Sequence, residues 1–355
     1  MLFEDDSPSK LIGIARLAAS SDLLEAKRQV EYLELETRRF IGRGSGRMRS
    51  IWTINPYRGC EYGCKYCYAR YAHEFMELRD PELFERKIFA KQFQALVFRA
   101  EVRRLKLGDT VWMGTATDPY QPAERRFQIA RQILEVFEEG SGLDIGVTTK
   151  SDFVARDAVL LAQIARKNKI RVHLTITTLD ERLARLMEPR APRPALRLAA
   201  VRKLTEAGVP VSVLAHPVMP LINDSEESLD QVCAAAARNG ASSFSAAPLF
   251  LKPCAAQVFL PFLEEHFPHL IRRYRERFEK AAYLTGHYPE MIAERVERIR
   301  ARHRLAARRE PEWPEQFPPE PFPGDQLDLF PSLTKGPAAA ESPRISTLQR
   351  KVPRL

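Results

Sequence analysis

Residues 51–68 read IWTINPYRGCEYGCKYCY, a short apolar run that leads directly into a loop with three cysteines. The cysteines Cys60, Cys64 and Cys67 have the spacing Cys-x3-Cys-x2-Cys, which allows three thiolates to reach one soft metal centre. A glycine precedes each of the first two and can adopt the dihedrals that a tight loop requires. Three ligands are too few for a closed zinc site, which takes four, but they suit a [4Fe–4S] cluster with one iron left open.

Two alternatives remain for these cysteines. One is a structural zinc site with a distant fourth ligand, for which His73, Cys233 and Cys254 are candidates. The other is an accidental cluster of inert thiols, which the spacing disfavours because buried single cysteines do not line up in this way. The sequence therefore favours the iron–sulfur cluster.

Composition limits the class of protein. The chain has 355 residues, 45% hydrophobic and 28% charged, so it can bury a sizeable core and is not disordered throughout. Its 55 Lys and Arg against 46 Asp and Glu give a net charge of +9, which favours a polyanionic partner. The first residues do not form an export leader, so reduced thiols and a cytoplasmic location are expected. The most apolar stretch, residues 209–222, contains three prolines and His216, so no membrane span is predicted.

Short apolar runs alternate with amphipathic helical patterns through the middle of the chain. Apolar residues are consecutive within each run, which indicates parallel strands buried on both faces and joined by helices. Six such units predict an α/β fold, a partial (β/α)6 TIM-like barrel, with a doubly wound open sheet as the alternative. The predicted strands are Ile51–Ile54, Thr110–Thr115, Leu143–Thr149, Ile170–Thr177, Val209–Ala215 and Ser242–Phe250, and the predicted helices include Glu124–Glu139, Asp157–Asn168, Pro194–Ala207 and Glu226–Asn239.

The chain divides into four predicted zones. The first contains a helical pattern around Leu23–Phe40, and the last is so rich in proline that it is expected to be disordered. The zones are an N-terminal lead-in (1–49), a core domain (50–265), a basic helical extension (266–309) and a Pro-rich tail (310–355).

The cysteine loop resembles that of the radical S-adenosylmethionine (SAM) superfamily, in which the loop follows the first strand. The stretches KYCY (65–68), TATDPYQP (115–122) and TTKS (148–151) are similar to those of spore photoproduct lyase. More specifically, the chain resembles a widespread bacterial branch of lyase-like proteins whose substrate is not established. The resemblance covers roughly residues 50–255 and implies a partial (β/α)6 barrel.

The resemblance implies two cofactors. Cys60, Cys64 and Cys67 would each hold one iron of a [4Fe–4S] cluster, and the fourth iron would bind SAM. One electron from the reduced cluster would cleave SAM into methionine and a 5′-deoxyadenosyl radical, which abstracts a hydrogen atom from the substrate. The protein would orient the reactants and exclude water, and an electron donor of flavodoxin or ferredoxin type is implied as a partner.

The resemblance also implies roles for residues at the strand ends, where such barrels place their chemistry. Thr117 and Asp118 would bind the SAM ammonium group, Lys150 would contact its carboxylate, and Thr175 would reach SAM as well. The alternatives are a turn that starts at Asp118, a solvated lysine and an ordinary β-branched strand residue.

Two tyrosines and a glutamate complete the implied SAM site. Tyr66 and Tyr68 flank Cys67 and would line the adenosine site and the radical-transfer route, which makes Tyr68 a candidate catalytic residue. They could instead shield the cluster. Glu188 could reach a ribose hydroxyl or form a structural ion pair with Arg197.

The sequence departs from the lyase at its hydrogen-donating cysteine, which aligns with Thr115. A hydroxyl is a far poorer hydrogen-atom donor than a thiol, so repair of spore photoproduct itself is in doubt. Cys254 is the candidate catalytic thiol from across the barrel, whereas Cys233 is expected in the core. His216 should face the barrel mouth, although a lone histidine is more often structural.

Two further segments point to nucleic-acid metabolism. Residues 272–309 contain twelve Lys or Arg against five Glu, which suits contact with phosphates or, alternatively, a solvated helix with i,i+4 ion pairs. Residues Gln326, Leu327, Asp328, Leu329 and Phe330 resemble the peptide by which bacterial replication and repair proteins dock on the DNA sliding clamp, unless this short match arises by chance.

These observations predict a radical SAM enzyme that abstracts hydrogen from nucleic acid, in lyase-like repair or modification of a DNA lesion. One alternative is a radical SAM enzyme that acts on RNA, tRNA or another substrate. An alternative of a different class is a non-catalytic iron–sulfur or zinc protein that senses redox state or tethers partners.

Overall fold

The computed structural model describes residues 11–27, 29–44 and 48–307 of the chain. The Pro-rich tail, with the clamp-like segment from Gln326 to Phe330, lies outside these residues. Within them, no helix combines the length and the apolar character needed to cross a membrane.

Strands and helices alternate along most of the described chain. The strands are β1 (Leu23–Lys27), β2 (Val30–Leu35), β3 (Ile41–Arg43), β4 (Trp52–Ile54), β5 (Tyr57–Arg58), β6 (Lys87–Lys91), β7 (Thr110–Met113), β8 (Asp144–Thr149), β9 (Lys169–Thr175), β10 (Val211–Val218) and β11 (Ser243–Pro248). The α-helices are α1 (Gly13–Ala19), α2 (Tyr71–Glu74), α3 (Leu83–Arg86), α4 (Ala95–Val102), α5 (Glu124–Phe127), α6 (Ile129–Glu139), α7 (Ala158–Ala165), α8 (Glu181–Met187), α9 (Pro194–Glu206), α10 (Glu226–Arg238), α11 (Pro253–His266), α12 (Ile271–Phe278) and α13 (His287–His303).

A seven-stranded sheet in the order β11-β10-β9-β8-β7-β4-β3 forms the centre of the fold. The six strands from β4 to β11 in this sheet are parallel, and β3 pairs antiparallel with β4. Each parallel strand lies beside the one that precedes it in the sheet, with helices in the connections. This order confirms the predicted α/β partial barrel, because a doubly wound sheet would reverse direction at a switch point.

The strands are buried on both faces, as their continuous apolarity predicts. Val111, Val147, Val172 and Val213, one from each of four neighbouring strands, have no exposed surface. The six parallel strands begin and end within three residues of the bounds predicted from the sequence. The predicted helix Glu124–Glu139 is instead divided into α5 and α6, because Gln128 has a left-handed backbone conformation.

The helical prediction for Leu23–Phe40 is wrong, since this segment forms β1 and β2. The two strands pair antiparallel, and the residue between them with a left-handed backbone is Gln29. β2 also pairs parallel with β6, with Tyr32 opposite Ile88, in a second sheet of order β1-β2-β6-β5. The partner strand, distant in sequence, decides the structure here because short apolar patterns do not distinguish helix from strand.

The basic segment forms two helices as expected, α12 and α13. The helix α13 packs against the main hydrophobic core, to which it contributes the fully or almost fully buried Ile292, Val296 and Ile299. The residues after α13 are tied to β11, where Phe244 N donates to the carbonyl of Ala306 at 3.1 Å. This helix is therefore part of the described fold rather than an appendage.

Candidate active site at the cysteine loop

The cysteine loop follows β4 and β5 and is held from outside by several elements. Cys60 N donates to the Phe84 carbonyl at 2.8 Å, and Lys65 N donates to the Met187 carbonyl at 2.9 Å. Gly59 has φ +83, and an added Cβ there would lie 2.6 Å from the Lys87 carbonyl oxygen. Glycine is thus required both by the dihedral and by the close approach of β6.

The side chain of Gln121 binds the backbone on both sides of Cys60. Its Nε2 donates to the Gly59 carbonyl at 3.0 Å, and its Oε1 accepts from Glu61 N at 3.0 Å. The Gln121 side chain is fully buried. It belongs to the stretch 115–122 that carries the family resemblance, yet sequence reasoning gave it no role.

Asn55 ties the end of β4 to the loop after β7, and sequence reasoning missed this residue too. Its Oδ1 accepts from Ala116 N at 2.8 Å and Thr117 N at 3.2 Å, and its Nδ2 donates to Thr115 Oγ1 at 3.2 Å. The sequence signal for Asn55 is its position directly after the predicted strand Ile51–Ile54. Its amide can bond to the neighbouring strand end only after the two strands have paired.

A cavity of about 340 Å³ opens at the carboxyl ends of the parallel strands. The structure brings together nine of the eleven predicted site residues in its lining, and leaves out Glu188 and Cys254. The predicted residues that line the cavity are Cys60, Cys64, Cys67, Tyr66, Tyr68, Thr117, Asp118, Lys150 and Thr175. His216, Thr115 and Phe250 line it as well.

Asp118 is bound by protein groups on the cavity wall. Its carboxylate accepts hydrogen bonds from the Thr149 hydroxyl at 2.6 Å, Lys150 N at 2.7 Å and Tyr120 N at 2.9 Å. Burial raises the pKa of Asp118, while these hydrogen bonds act to lower it. Asp118 therefore links the loop after β7 to the end of β8. Its bond from Tyr120 N also fits the turn that was the alternative role for this residue. Its role toward the SAM ammonium group stays a prediction.

Thr117 also has a protein partner, since its hydroxyl donates to the Tyr57 carbonyl at 3.1 Å. Lys150 places its ammonium 5.5 Å from the ring centroid of Tyr66. Thr117, Lys150 and Thr175 all line the cavity, and their contacts with SAM remain predictions.

Glu188 lies behind the cavity wall, where it forms the alternative ion pair with Arg197. The Nη2 of Arg197 lies 2.5 Å from Glu188 Oε2, and both side chains are at most 1% exposed. The Tyr66 hydroxyl donates to Glu188 Oε1, and the Thr177 hydroxyl donates to the same oxygen at 3.1 Å. Burial alone would raise the pKa of Glu188, but the charges of Arg197 and Lys150 hold it below its usual value. Glu188 thus fixes the Tyr66 hydroxyl from outside the cavity. Its contact with a ribose stays a prediction, and Glu188 does not line the cavity.

Cys254 does not line the cavity, contrary to the expectation that it faces the site across the barrel. Cys254 is 5% exposed, and its thiol donates to the Tyr68 carbonyl at 3.9 Å. Tyr68 occupies the cavity side, and its hydroxyl donates to the Thr115 carbonyl at 2.5 Å. Cys254 as hydrogen-atom donor therefore stays a prediction without direct geometric support. Cys233 is fully buried in the core, as expected.

The donor chemistry of the loop fits an iron–sulfur cluster. Burial raises the pKa of the Cys60 thiol and raises that of Cys64 to about 12, so iron must displace a proton from each. Among the described residues, no three Cys, His, Asp or Glu side chains are gathered closely enough to share one metal ion. A cluster does not require such a gathering, because each thiolate ligates a different iron.

The family model described as the Radical SAM superfamily matches residues 54–232, and the chain belongs to this superfamily. The chain is therefore a radical SAM enzyme, and its cofactors are a [4Fe–4S] cluster and SAM. Cys60, Cys64 and Cys67 are the residues that would hold the cluster.

The chain is also similar to uncharacterized proteins of known sequence and to solved structures of spore photoproduct lyase. An uncharacterized protein of Mycobacterium tuberculosis is 35% identical over 265 residues, which cover 74% of this chain and 78% of that protein. An uncharacterized protein of Methanocaldococcus jannaschii is 28% identical over 179 residues, 49% of this chain and 63% of that protein. A structure of spore photoproduct lyase complexed with dinucleoside spore photoproduct has a TM-score of 0.57 at 14% identity, covering 84% of this chain and 86% of the lyase. This structural similarity confirms the fold.

We expect Gln121→Leu to weaken retention of the cluster. The change removes the two buried hydrogen bonds that the Gln121 amide makes with the Gly59 carbonyl and Glu61 N, and each such bond contributes about 0.5–1.5 kcal/mol. Loss of a residue that orients metal ligands lowers metal affinity about 10- to 100-fold, so a chelator should remove iron from reconstituted Gln121→Leu at least 10-fold faster than from wild type. Gln163→Leu, an exposed glutamine on α7, is the matched control. Equal iron loss from all three proteins would contradict the role of Gln121.

We expect Gly59→Ala to destabilise the loop, since the backbone is left-handed and β6 leaves no space for a Cβ. The free energy of unfolding should fall by roughly 1–3 kcal/mol, with less iron bound after reconstitution. The control is Gly42→Ala in β3, where the nearest atom to an added Cβ is 3.9 Å away. If chemical denaturation gave both variants the same stability, the proposed constraint on Gly59 would be wrong.

Proposed function

We propose that this radical SAM enzyme acts on nucleic acid, in lyase-like repair or modification of a DNA lesion. The observation that carries the proposal is the cavity at the strand ends, which combines the three thiols with aromatic and basic side chains. The solved lyase with a similar fold is in complex with a dinucleoside spore photoproduct, which is the source of the DNA-lesion hypothesis. When bound, the cluster and SAM supply one-electron chemistry that ends in abstraction of a hydrogen atom from the substrate.

The protein residues around the cavity have separable tasks in this proposal. Tyr66, fixed by Glu188, and Lys150 form one wall on which the cofactor is oriented. Tyr68 lines the cavity next to Cys254, and in this proposal it exchanges a hydrogen atom with the substrate. Thr115 has no thiol, so the reaction differs from that of the lyase in how the hydrogen atom is returned.

Exposed charge on α12 supports a polyanionic substrate. Arg272, Arg273 and Arg275 are all exposed, and their surface ion pairs contribute roughly 0–1 kcal/mol, so a phosphate can replace the carboxylates. On α13, Arg298 and Arg302 lie opposite Glu226 and Asp230 of α10, so acidic residues locally offset their charge. We therefore expect α12 to be the main contact surface of the basic segment.

We expect damaged DNA to stimulate SAM cleavage. Anaerobically reconstituted, reduced protein should release 5′-deoxyadenosine several-fold faster with ultraviolet-irradiated DNA than with the same DNA undamaged or with tRNA. Stronger stimulation by tRNA would replace DNA with RNA as the substrate, and no stimulation by any nucleic acid would reject the proposal.

In this assay, variants distinguish residues needed for SAM cleavage from residues that contact DNA. Cys64→Ser should abolish release with every nucleic acid, because it removes one of the three sulfur ligands. Arg272→Glu/Arg273→Glu should raise the DNA concentration for half-maximal stimulation about tenfold, since two phosphate contacts become repulsive. Arg166→Glu/Lys203→Glu makes the same charge change at exposed positions elsewhere and should have no comparable effect. If both double variants behaved alike, α12 would not be the contact surface.

A further inference from the structure

Five aromatic rings form a continuous row that begins outside the cavity and passes its rim. In order they are Tyr283, Phe250, Tyr68, Tyr71 and Phe75, and we call them the aromatic row. Neighbouring ring centroids are 4.2, 5.8, 6.4 and 5.8 Å apart. Phe250 and Tyr68 also line the cavity, so the row connects the site of chemistry with the surface.

The row is assembled from segments that are distant in sequence. Tyr68 and Tyr71 follow the cysteine loop, Phe250 follows β11, and Tyr283 lies between α12 and α13. The Tyr283 segment is pinned to Phe250 by a β-bridge and by the hydrogen bond from Leu251 N to the Ala282 carbonyl at 2.9 Å. Backbone pairing therefore fixes the Tyr283 segment beside Phe250.

Much of the row is exposed, which ordinary core packing does not explain. Tyr68 is 39% exposed, Tyr283 54% and Phe75 62%. Contiguous exposed aromatic surface beside a cavity is typical of a binding site rather than of a surface that faces only water.

Positive charge accompanies the rings. The Lys252 ammonium lies 3.7 Å from the ring centroid of Tyr71 and 5.9 Å from that of Phe250. Burial raises the pKa of Tyr71 while the charge of Arg58 lowers it, so a second cation acts on the same ring. The row also has an acidic neighbour, Glu74 on α2, which lies between Tyr71 and Phe75 in the sequence. Rings combined with cations suit a strand that carries both bases and phosphates.

We infer that the aromatic row is a stacking platform for unpaired bases of a single nucleic-acid strand that leads into the cavity. This inference rests on the proposed function, because it names the form in which the nucleic acid binds. Chemistry on a base requires that the base leave the duplex, and its neighbours then lose their stacking partners. Aromatic side chains replace those partners without reading the sequence.

The test compares bases with phosphates. Fluorescence anisotropy measures the binding of reconstituted full-length protein to labelled dT12 and to a 12-residue abasic strand with the same number of phosphates. Wild type should bind dT12 about tenfold tighter than the abasic strand. Tyr283→Ala should weaken dT12 binding about fivefold and leave abasic binding unchanged. Tyr283→Phe, which keeps the ring, should bind dT12 like wild type.

Two controls keep the result interpretable. Leu107→Ala removes a 49% exposed apolar side chain outside the row and should change neither affinity. Tyr283→Leu keeps apolar contact with Phe250 without a ring, and should lose dT12 affinity as Tyr283→Ala does.

Each contrary outcome has a distinct meaning. Equal binding of dT12 and the abasic strand by wild type would overturn the stacking platform but leave the proposed nucleic-acid substrate standing. No binding of either strand would overturn the proposed function as well. Unchanged dT12 binding by Tyr283→Leu would show that the ring is not used and would also overturn the inference.

Discussion

The backbone of the cysteine loop has to find most of its hydrogen-bond partners outside the loop, and the site depends on how it does so. The side-chain amide of Gln121 forms hydrogen bonds with the backbone on both sides of Cys60. The loop is bound further along by the Met187 carbonyl, which lies at the end of α8. The positions of the thiols are therefore set by the barrel, and a change in the strand ends is transmitted to the ligands.

The same strand ends control charge around the cavity. Asp118 is bound by three protein donors, and Glu188 is paired with Arg197, so neither carboxylate is left buried without a partner. Tyr66 is fixed by Glu188, and Lys150 lies near its ring. The cavity is thus lined by side chains whose orientation is fixed before any cofactor binds, which is the preorganisation that a reactive site requires.

The sequence predicted the elements whose pattern is local. Continuous apolar runs located the parallel strands because both faces are buried. The cysteine spacing predicts the metal ligands because all three lie on one loop. The hairpin at Leu23–Leu35 was mistaken for a helix, since its structure depends on pairing with β6, about fifty residues away. The roles of Gln121 and Asn55 could not be predicted, because an amide has no signature until its backbone partners are in place. The choice between an ion pair and a ribose contact for Glu188 also required the position of Arg197.

We predict that Cys60, Cys64 and Cys67 hold a [4Fe–4S] cluster whose fourth iron is open to SAM. The decisive measurement is electron paramagnetic resonance of the anaerobically reduced protein, recorded before and after addition of SAM. We expect a [4Fe–4S] signal that changes when SAM binds and is absent from Cys64→Ser. A stable zinc protein without this signal, or a cluster signal that SAM does not alter, would contradict it.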